Sequence, residues 1–344
     1  MSRKDVTKLI VFICGMVVFM VGMWFVLKHF EAKEPEPVDL ATEDAGFLAS
    51  AEPTASPTGE LKIGKKKYQY YDTIETYLMI GTDGSGSQEG EAYQGSMADF
   101  LLLVVFDKTD NTYQFLQLNR DTMTEVRLLQ KDGTGEATAN IQLCTSHWYG
   151  GNEKQSCENT VEAVSKLLGG IQIDGYYSLN MEEIPRLNQL VDGVTVTLEE
   201  NFTSVDKKMK KGKTMRLSDE QAYHYIHDRY GVGDEENTSR MARQKQYMQS
   251  FFKEVMNKMS EDKKFGVDVF QNLQDVSTTN IKGKKISSMS DEISTGTNKG
   301  FLELSGETKL GKALGDGLDH VEFYSENDSI VTILTQLYKL NEIK

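Results

Sequence analysis

The chain has 344 residues, enough for one large domain or two ordinary ones with appendages. Lys and Arg total 38 against 52 Asp and Glu, a formal charge of −14, with 26% charged and 39% hydrophobic residues. That balance excludes disorder over the whole length, argues against a nucleic-acid-binding surface and leaves room only for a local basic cradle, while three Cys are too few for a disulfide scaffold or an all-thiolate zinc site.

Leu9 to Leu27 carry no charge, and these nineteen residues at about 1.5 Å each span about 28 Å, one bilayer core. Arg3, Lys4 and Lys8 precede the run, and Glu31, Glu34, Glu36, Asp39, Glu43 and Asp44 follow it. The positive-inside rule therefore predicts a cytoplasmic tail over 1–8, a transmembrane anchor over 9–28 and everything after it outside. The run ends in Trp24-Phe25-Val26-Leu27 with no small-x-small site, which favours an uncleaved anchor over a signal peptide. Pro35, Pro37, Pro53 and Pro57 punctuate a Glu/Ala/Thr/Ser-rich tract, so residues 29–67 read as a disordered stalk.

From residue 68 the pattern is compact. Tyr77–Gly81 is a short apolar strand meeting a loop at Thr82-Asp83, and Phe100–Asp107 is a continuous apolar strand of the fully buried kind. Lys108-Thr109-Asp110-Asn111 makes a turn into Thr112–Leu118, the second arm of a hairpin. Glu158–Leu168 has helical spacing and ends at Gly169-Gly170. Tyr176–Leu179 reads as a strand, Met181–Val191 as a helix and Val194–Leu198 as the next strand. Ser218-Asp219-Glu220-Gln221 has capping-box spacing and opens a helix to about Arg229. Ser239 is the expected cap of a long helix whose Met241, Met248, Phe252, Val255 and Met259 share a face. Beyond 262 the pattern weakens until a last helix near Ile330–Leu340. The alternation predicts an α/β fold with a mixed central β-sheet flanked by helices on both faces, an αβα sandwich preceded by one transmembrane helix. The expected domains are 68–261 and a C-terminal extension, 262–344, packed on it.

Three features carry possible chemistry, each with a structural alternative. Asp83 and Asp99 sit beside strand ends, where two acids suit Mg²⁺ but also serve as turn or cap residues. Arg120 follows the hairpin arm, where its fork can grip phosphate with Asp121 orienting it, or form a salt bridge alone. Arg240, Arg243 and Gln244 share the first turn of the long helix, where cations oppose the helix dipole unless an anion arrives. Gly84-Ser85-Gly86 with Gly90 matches neither a dinucleotide fingerprint nor a Walker loop. Lys207–Lys213 reads as an exposed basic loop, and His147 with Trp148 and Tyr149 as packing residues.

Together these residues resemble the LytR-CpsA-Psr family of bacterial cell-envelope proteins over the anchor and roughly 73–260. The resemblance rests on Gly81-Thr82-Asp83, Asp99, Asn119-Arg120-Asp121-Thr122, Tyr149-Gly150-Gly151, Asp192-Gly193-Val194-Thr195-Val196, Leu217-Ser218-Asp219-Glu220-Gln221-Ala222 and Arg240 with Arg243-Gln244. It implies a phosphotransferase in the cell membrane of a Gram-positive-type envelope, single-pass with its main domain outside. Such a protein moves a glycopolymer phosphate from a polyprenyl-pyrophosphate carrier to peptidoglycan, with no nucleic-acid partner. Carried over, Asp83 and Asp99 hold Mg²⁺ (or Mn²⁺), while Arg120, Arg229, Arg240, Arg243 and Gln244 hold the pyrophosphate. Arg120, Asp121 and Asp234 are the candidate catalytic residues, and apolar faces of the sheet and helices enclose the lipid.

The sequence departs from the family pattern at three positions: Met97 and His227 stand where arginines are usual, and Asn237 replaces an Asp. Two readings follow. Either His227 and Asp234 compensate in an enzyme, or the protein is a non-catalytic polyprenyl-phosphate binder or scaffold. A transcriptional role has little support, because eight cytoplasmic residues cannot form a helix-turn-helix. Cys144 and Cys157, thirteen apart in a domain expected on the oxidising side, are predicted to form a disulfide.

Overall fold

The computed structural model describes residues 57–71, 73–83, 95–130, 132–135 and 137–343. The expected anchor and most of the expected stalk lie outside them, and among the described residues no helix is long and apolar enough to cross a membrane.

Part of the predicted stalk is folded. β1 (Pro57–Ile63) and β2 (Lys66–Tyr71) form an antiparallel hairpin with β15 (Asn341–Ile343) on its outer edge. Leu61 and Ile63 alternate with Glu60 and Lys62 and are buried in the main core, and Gly64 supplies the positive φ of the turn. Pro and Ser/Thr content concealed this two-residue period.

β3 (Ile74–Thr82), β4 (Ala98–Asp107) and β5 (Thr112–Leu118) make an antiparallel meander, and the turn after β4 is held by Asp107, which accepts the Thr109 and Asp110 N–H groups. β6 (Met123–Arg127) and β7 (Thr138–Gln142) form a separate ribbon, followed by a 3₁₀ turn at Leu143–His147. α1 (Glu153–Leu167), capped by the Asn152 side chain, starts five residues before the expected Glu158 because the cap precedes the apolar stripe. β8 (Gly175–Asn180), reached from α1, runs parallel to β3. α2 (Ile184–Leu190), the ribbon β9 (Thr195–Thr197) with β10 (Thr214–Arg216), and α3 (Asp219–His227) follow. Both halves of the Ser218/Gln221 capping box are present at α3.

α4 (Asn237–Glu261) begins two residues before Ser239, whose hydroxyl donates to Asp234. α5 (Phe265–Asn272), β11 (Ser277–Thr279), α6 (Gly283–Thr295), β12 (Thr297–Glu303), the β13 (Gly306–Gly311)–β14 (His320–Ser325) hairpin and α7 (Asn327–Tyr338) complete the fold. The sequence pattern was faint after 262 because these strands are short or half-exposed.

The central sheet is six-stranded and mixed, in the order β11-β8-β3-β4-β5-β12, so both edge strands come from beyond residue 262. Strand alternation sorts its two faces. Leu101, Leu103 and Val105 pack with Val164 and Leu168 at the α1 end, and with Leu334 and Leu337 of α7. Leu102, Val104 and Phe106 face the other way, toward Leu273, Met289 and Phe252 on the α4–α6 side. A third cluster joins α2, α3, α4 and β9 around Tyr225, Tyr247 and Phe202.

Candidate functional site

The acid pair is built by strand register. β3 and β4 are antiparallel with Thr82 opposite Ala98, so Asp83 leaves the sheet where Asp99 enters it. Met97 pins this corner: its N–H donates to Asp83 Oδ1 at 2.9 Å, and its carbonyl accepts the Asp83 N–H at 3.2 Å. The Asp83 carboxyl is pushed above the ordinary carboxylate range, first by burial and then by the negative charge of Asp99.

β5 pairs Leu118 with Leu101, which brings Arg120 to the same end of the sheet. Arg120 Nη1 binds Asp99 Oδ1, and Arg240 Nη1, from the first turn of α4, binds Asp99 Oδ2 at 2.9 Å. One carboxylate therefore bridges two guanidiniums, and Asp99 and Arg240 are only 6% and 5% exposed. Arg120 Nη2 also reaches the sulfurs of Met97 at 3.0 Å and Cys144 at 3.2 Å. Its Nε lies 3.5 Å from Asp121 Oδ1.

Asn237 links the remaining members. Its amide donates to Asp121 Oδ2 at 2.9 Å, and its Oδ1 accepts from Arg240 Nη2 at 3.0 Å. An Asp here would set a second carboxylate against Asp121, whereas the amide donates to one neighbour and accepts from the other. The Asp121 carboxyl is raised by burial, with the charges of Arg120, Arg240 and Arg229 pulling the other way. The Arg240 Nε–H is buried without a hydrogen-bond acceptor, and the Arg120 Nε–H has only the Asp121 carboxylate at 3.5 Å, outside hydrogen-bonding geometry.

Two expected phosphate ligands are engaged elsewhere. Arg243 is fully enclosed: Nε donates to the Tyr225 carbonyl at 2.9 Å, Nη2 to the Asp228 carbonyl, and Nη1 pairs with Glu200. It sits at the C-terminal end of α3, where a cation is favoured, which offsets its unfavourable place at the start of α4. Gln244 donates to the Ile226 carbonyl at 3.2 Å and lines an apolar cavity. Arg229 donates through Nε to the Glu235 carbonyl at 3.0 Å, and its charge is felt by Asp121.

Asp234 stands just before α4, accepting the Glu236 N–H at 2.9 Å and the Ser239 hydroxyl at 2.7 Å, and borders a polar groove with Glu200 and Lys211. His227 stacks on Tyr223 with centroids 4.7 Å apart. The predicted disulfide is absent: Cys144 and Cys157 are free, buried thiols. Cys144 faces Arg120, whereas Cys157 on α1 faces His147, so the two side chains point at different partners. Burial pushes the Cys144 thiol up to about 11, which keeps it neutral beside the guanidinium at pH 7.

Beside the charged cluster lies an apolar cavity of about 230 Å³ between the sheet and α4, α5 and α6. Its walls include Leu102, Phe115, Met248, Phe252 and Val269, and it reaches Gly81 and Phe100, within two residues of the acid pair. Gly81 is required there, since a Cβ would stand 2.9 Å from the Phe100 Cβ. The cavity escapes sequence reasoning because its lining is ordinary core composition drawn from many distant segments. Asn119 and Asn237 were equally silent as partners of Asp121, since neither carries a charge signature.

The LytR_cpsA_psr family model matches residues 48–337. Biofilm regulatory protein A of Streptococcus mutans is 26% identical over 215 residues, covering 60% of this chain and 49% of that protein. The polyisoprenyl-teichoic acid–peptidoglycan teichoic acid transferase TagU of Bacillus cereus is 25% identical over 196 residues, covering 57% and 55% respectively. The chain thus spans about half the length of these relatives. The solved structure of TagT bound to LIIa-WTA superposes with a TM-score of 0.56 at 18% identity, covering 82% of this chain and 93% of that one, a likeness of fold.

Proposed function

The chain belongs to the LytR-CpsA-Psr family, and on that premise we propose that it is a membrane-anchored extracellular phosphotransferase. It moves a glycopolymer phosphate from a polyprenyl-pyrophosphate carrier to a peptidoglycan hydroxyl. The observation that carries this reading is one buried carboxylate, Asp99, holding two guanidiniums beside an apolar cavity. A headgroup with two phosphates and a long apolar tail needs that juxtaposition, and the buried Arg240 Nε–H, which has no acceptor, supports an anion there.

In this reading the acceptor hydroxyl attacks the phosphorus attached to the sugar. The P–O bond to the bridging oxygen breaks, and polyprenyl monophosphate leaves as the phosphodiester forms. Arg120 and Arg240 hold the pyrophosphate oxygens and stabilise the charge that grows on the leaving group. Asp121, buried and with a raised pKa, takes the hydroxyl proton. It is the better base than Asp234, an exposed carboxyl that hydrogen bonds from the Glu236 N–H and the Ser239 hydroxyl hold below its ordinary range.

Mg²⁺ or Mn²⁺ fits the acid pair, because Asp83 offers a hard oxygen whose charge is penalised by burial and by Asp99. Such an ion, held by Asp83 and Asp99, would neutralise charge on the phosphates. The sign of the Asp83 shift sets a test. A carboxyl raised above its unfolded value favours the fold at low pH, and that contribution is lost as pH rises through the folded value. Mg²⁺ should relieve the cost, raising the melting temperature at pH 7 by on the order of 5 °C at a hundredfold excess over Kd. The increment should shrink toward pH 4 and disappear in Asp83→Asn. A pH-independent Mg²⁺ response, or one retained in Asp83→Asn, would count against this site.

The function itself is tested by mass spectrometry of lipids co-purifying with the detergent-extracted chain. Wild type should retain polyprenyl phosphate or pyrophosphate, and Arg120→Ala/Arg240→Ala should not. Retention by wild type with no transfer activity would favour the non-catalytic binder, which the Met97 and Asn237 departures allow. No lipid in folded wild type would remove the pocket assignment.

A further inference from the structure

Away from the arginine cluster, three side chains with metal-binding atoms converge on one point. His147 closes the 3₁₀ turn at Leu143–His147, while Glu153 and Cys157 stand four apart on the first turns of α1. Their ligand atoms all lie within 4.8 Å of one another. His147 Nε2 is 3.6 Å from Cys157 Sγ and 3.3 Å from Glu153 Oε1.

We propose that His147, Glu153 and Cys157 form a binding site for a borderline transition metal of the Zn²⁺ class, with a fourth position for water. The site is separate from Asp83 and Asp99 and independent of the transfer reading.

The geometry supports it in three ways. A tetrahedral ion with Zn–S about 2.3 Å, Zn–N about 2.05 Å and Zn–O about 2.0–2.1 Å has N···S and N···O edges of about 3.6 Å and about 3.3–3.4 Å. The observed His147–Cys157 and His147–Glu153 separations match these two edges, and the third pair lies within 4.8 Å. Second, the imidazole is oriented as a ligand: His147 Nδ1 lies 2.9 Å from the Ser96 carbonyl, so it carries the proton and turns the Nε2 lone pair toward the other two donors. Third, the set mixes soft, borderline and hard donors, which suits Zn²⁺ and is wrong for Mg²⁺. His147 and Cys157 are completely buried, while the Glu153 side chain is 37% exposed and supplies the route of entry.

Burial and the nearby Glu153 charge push the Cys157 thiol well above its ordinary value, so it enters the reaction protonated. Binding therefore exchanges the thiol proton for the metal: Cys157–SH and Zn²⁺ give the zinc-bound thiolate and H⁺, with one proton released per ion. The bound ion would pin the start of α1 to the turn that carries Cys144, the thiol touching Arg120. Through His147 and Ser96 it would also stiffen the strand entry whose next residue, Met97, fixes Asp83.

The test uses the full chain in detergent, stripped with chelator and titrated with Co²⁺ as the spectroscopic probe. A single equivalent should give tetrahedral visible bands and a near-ultraviolet thiolate-to-cobalt charge-transfer band, displaced by Zn²⁺. Cys157→Ser should abolish the charge-transfer band while Cys144→Ser keeps it. Glu153→Gln, at a part-exposed position and therefore foldable, should weaken Zn²⁺ by at least about tenfold. No charge-transfer band in folded wild type at saturating Co²⁺ would overturn the site and leave a hydrogen-bonded trio. A band that survives Cys157→Ser would overturn it too, by assigning the thiolate elsewhere.

Discussion

Asp99→Ala should lower transfer by about a thousandfold, the upper end of what removing one preorganised electrostatic contact costs, because this carboxylate positions two guanidiniums at once. It should also destabilise the fold by about 3–5 kcal/mol, since Arg120 and Arg240 are left buried and facing each other without their shared anion. Asp99→Asn separates the two effects. The amide keeps the shape and one acceptor oxygen, so stability falls less while turnover stays low. A transfer assay on lipid-linked donor and guanidinium denaturation of the same preparations provide the readout. Turnover within tenfold of wild type in a folded Asp99→Asn protein would remove Asp99 from the chemistry.

Met248→Trp should act on the other half of the substrate. Met248 is half-buried on α4 and forms part of the cavity wall, so an indole there occupies space that the tail would fill. Displacing even two buried methylenes costs about 1.6 kcal/mol, roughly fifteenfold in affinity. The loss should therefore appear with long-chain polyprenyl phosphates and fade with carriers of one or two isoprene units, whose tails stay near Gly81 and Phe100. Binding measured across a chain-length series in detergent or nanodiscs checks this. An equal loss for short and long carriers would mean that the variant disturbs the headgroup site, and no loss at any length would place the tail elsewhere.

The alternating and continuous apolar patterns located β5 to the residue, β4 to within two residues and the apolar centre of β3, whose first three residues they missed, because each strand face must match its burial. The Ser218/Gln221 box was equally legible, since both partners lie within one turn. Asp83, Asp99, Arg120, Asp121 and Arg240 were named from sequence, and the fold brings them together. Arg243 was misread for a definable reason. The dipole of α4 makes a cation at its start look unsatisfied, yet the chain folds α3 so that its C-terminal carbonyls and Glu200 surround that guanidinium. Gln244 and Asp234 likewise meet other partners, the Ile226 carbonyl for one and the Glu236 N–H and Ser239 hydroxyl for the other.

What the sequence determined by itself is everything set by near neighbours: strand period, helix caps, the uncharged run at 9–27, and which charged residues flank strand ends. The partner each charged or thiol group meets was left to the tertiary structure. Cys144 and Cys157 are thirteen apart along the chain, and only the packing of the 3₁₀ turn on α1 sends one to Arg120 and the other to His147. The apolar cavity likewise exists only where β3, β4, β5, β8 and the helices α2 to α6 meet, and no single segment of its lining differs from ordinary core. Local patterns report whether a side chain is buried. They do not report what it is buried against, because that depends on contacts between residues a hundred or more positions apart, such as Asp99 with Arg240.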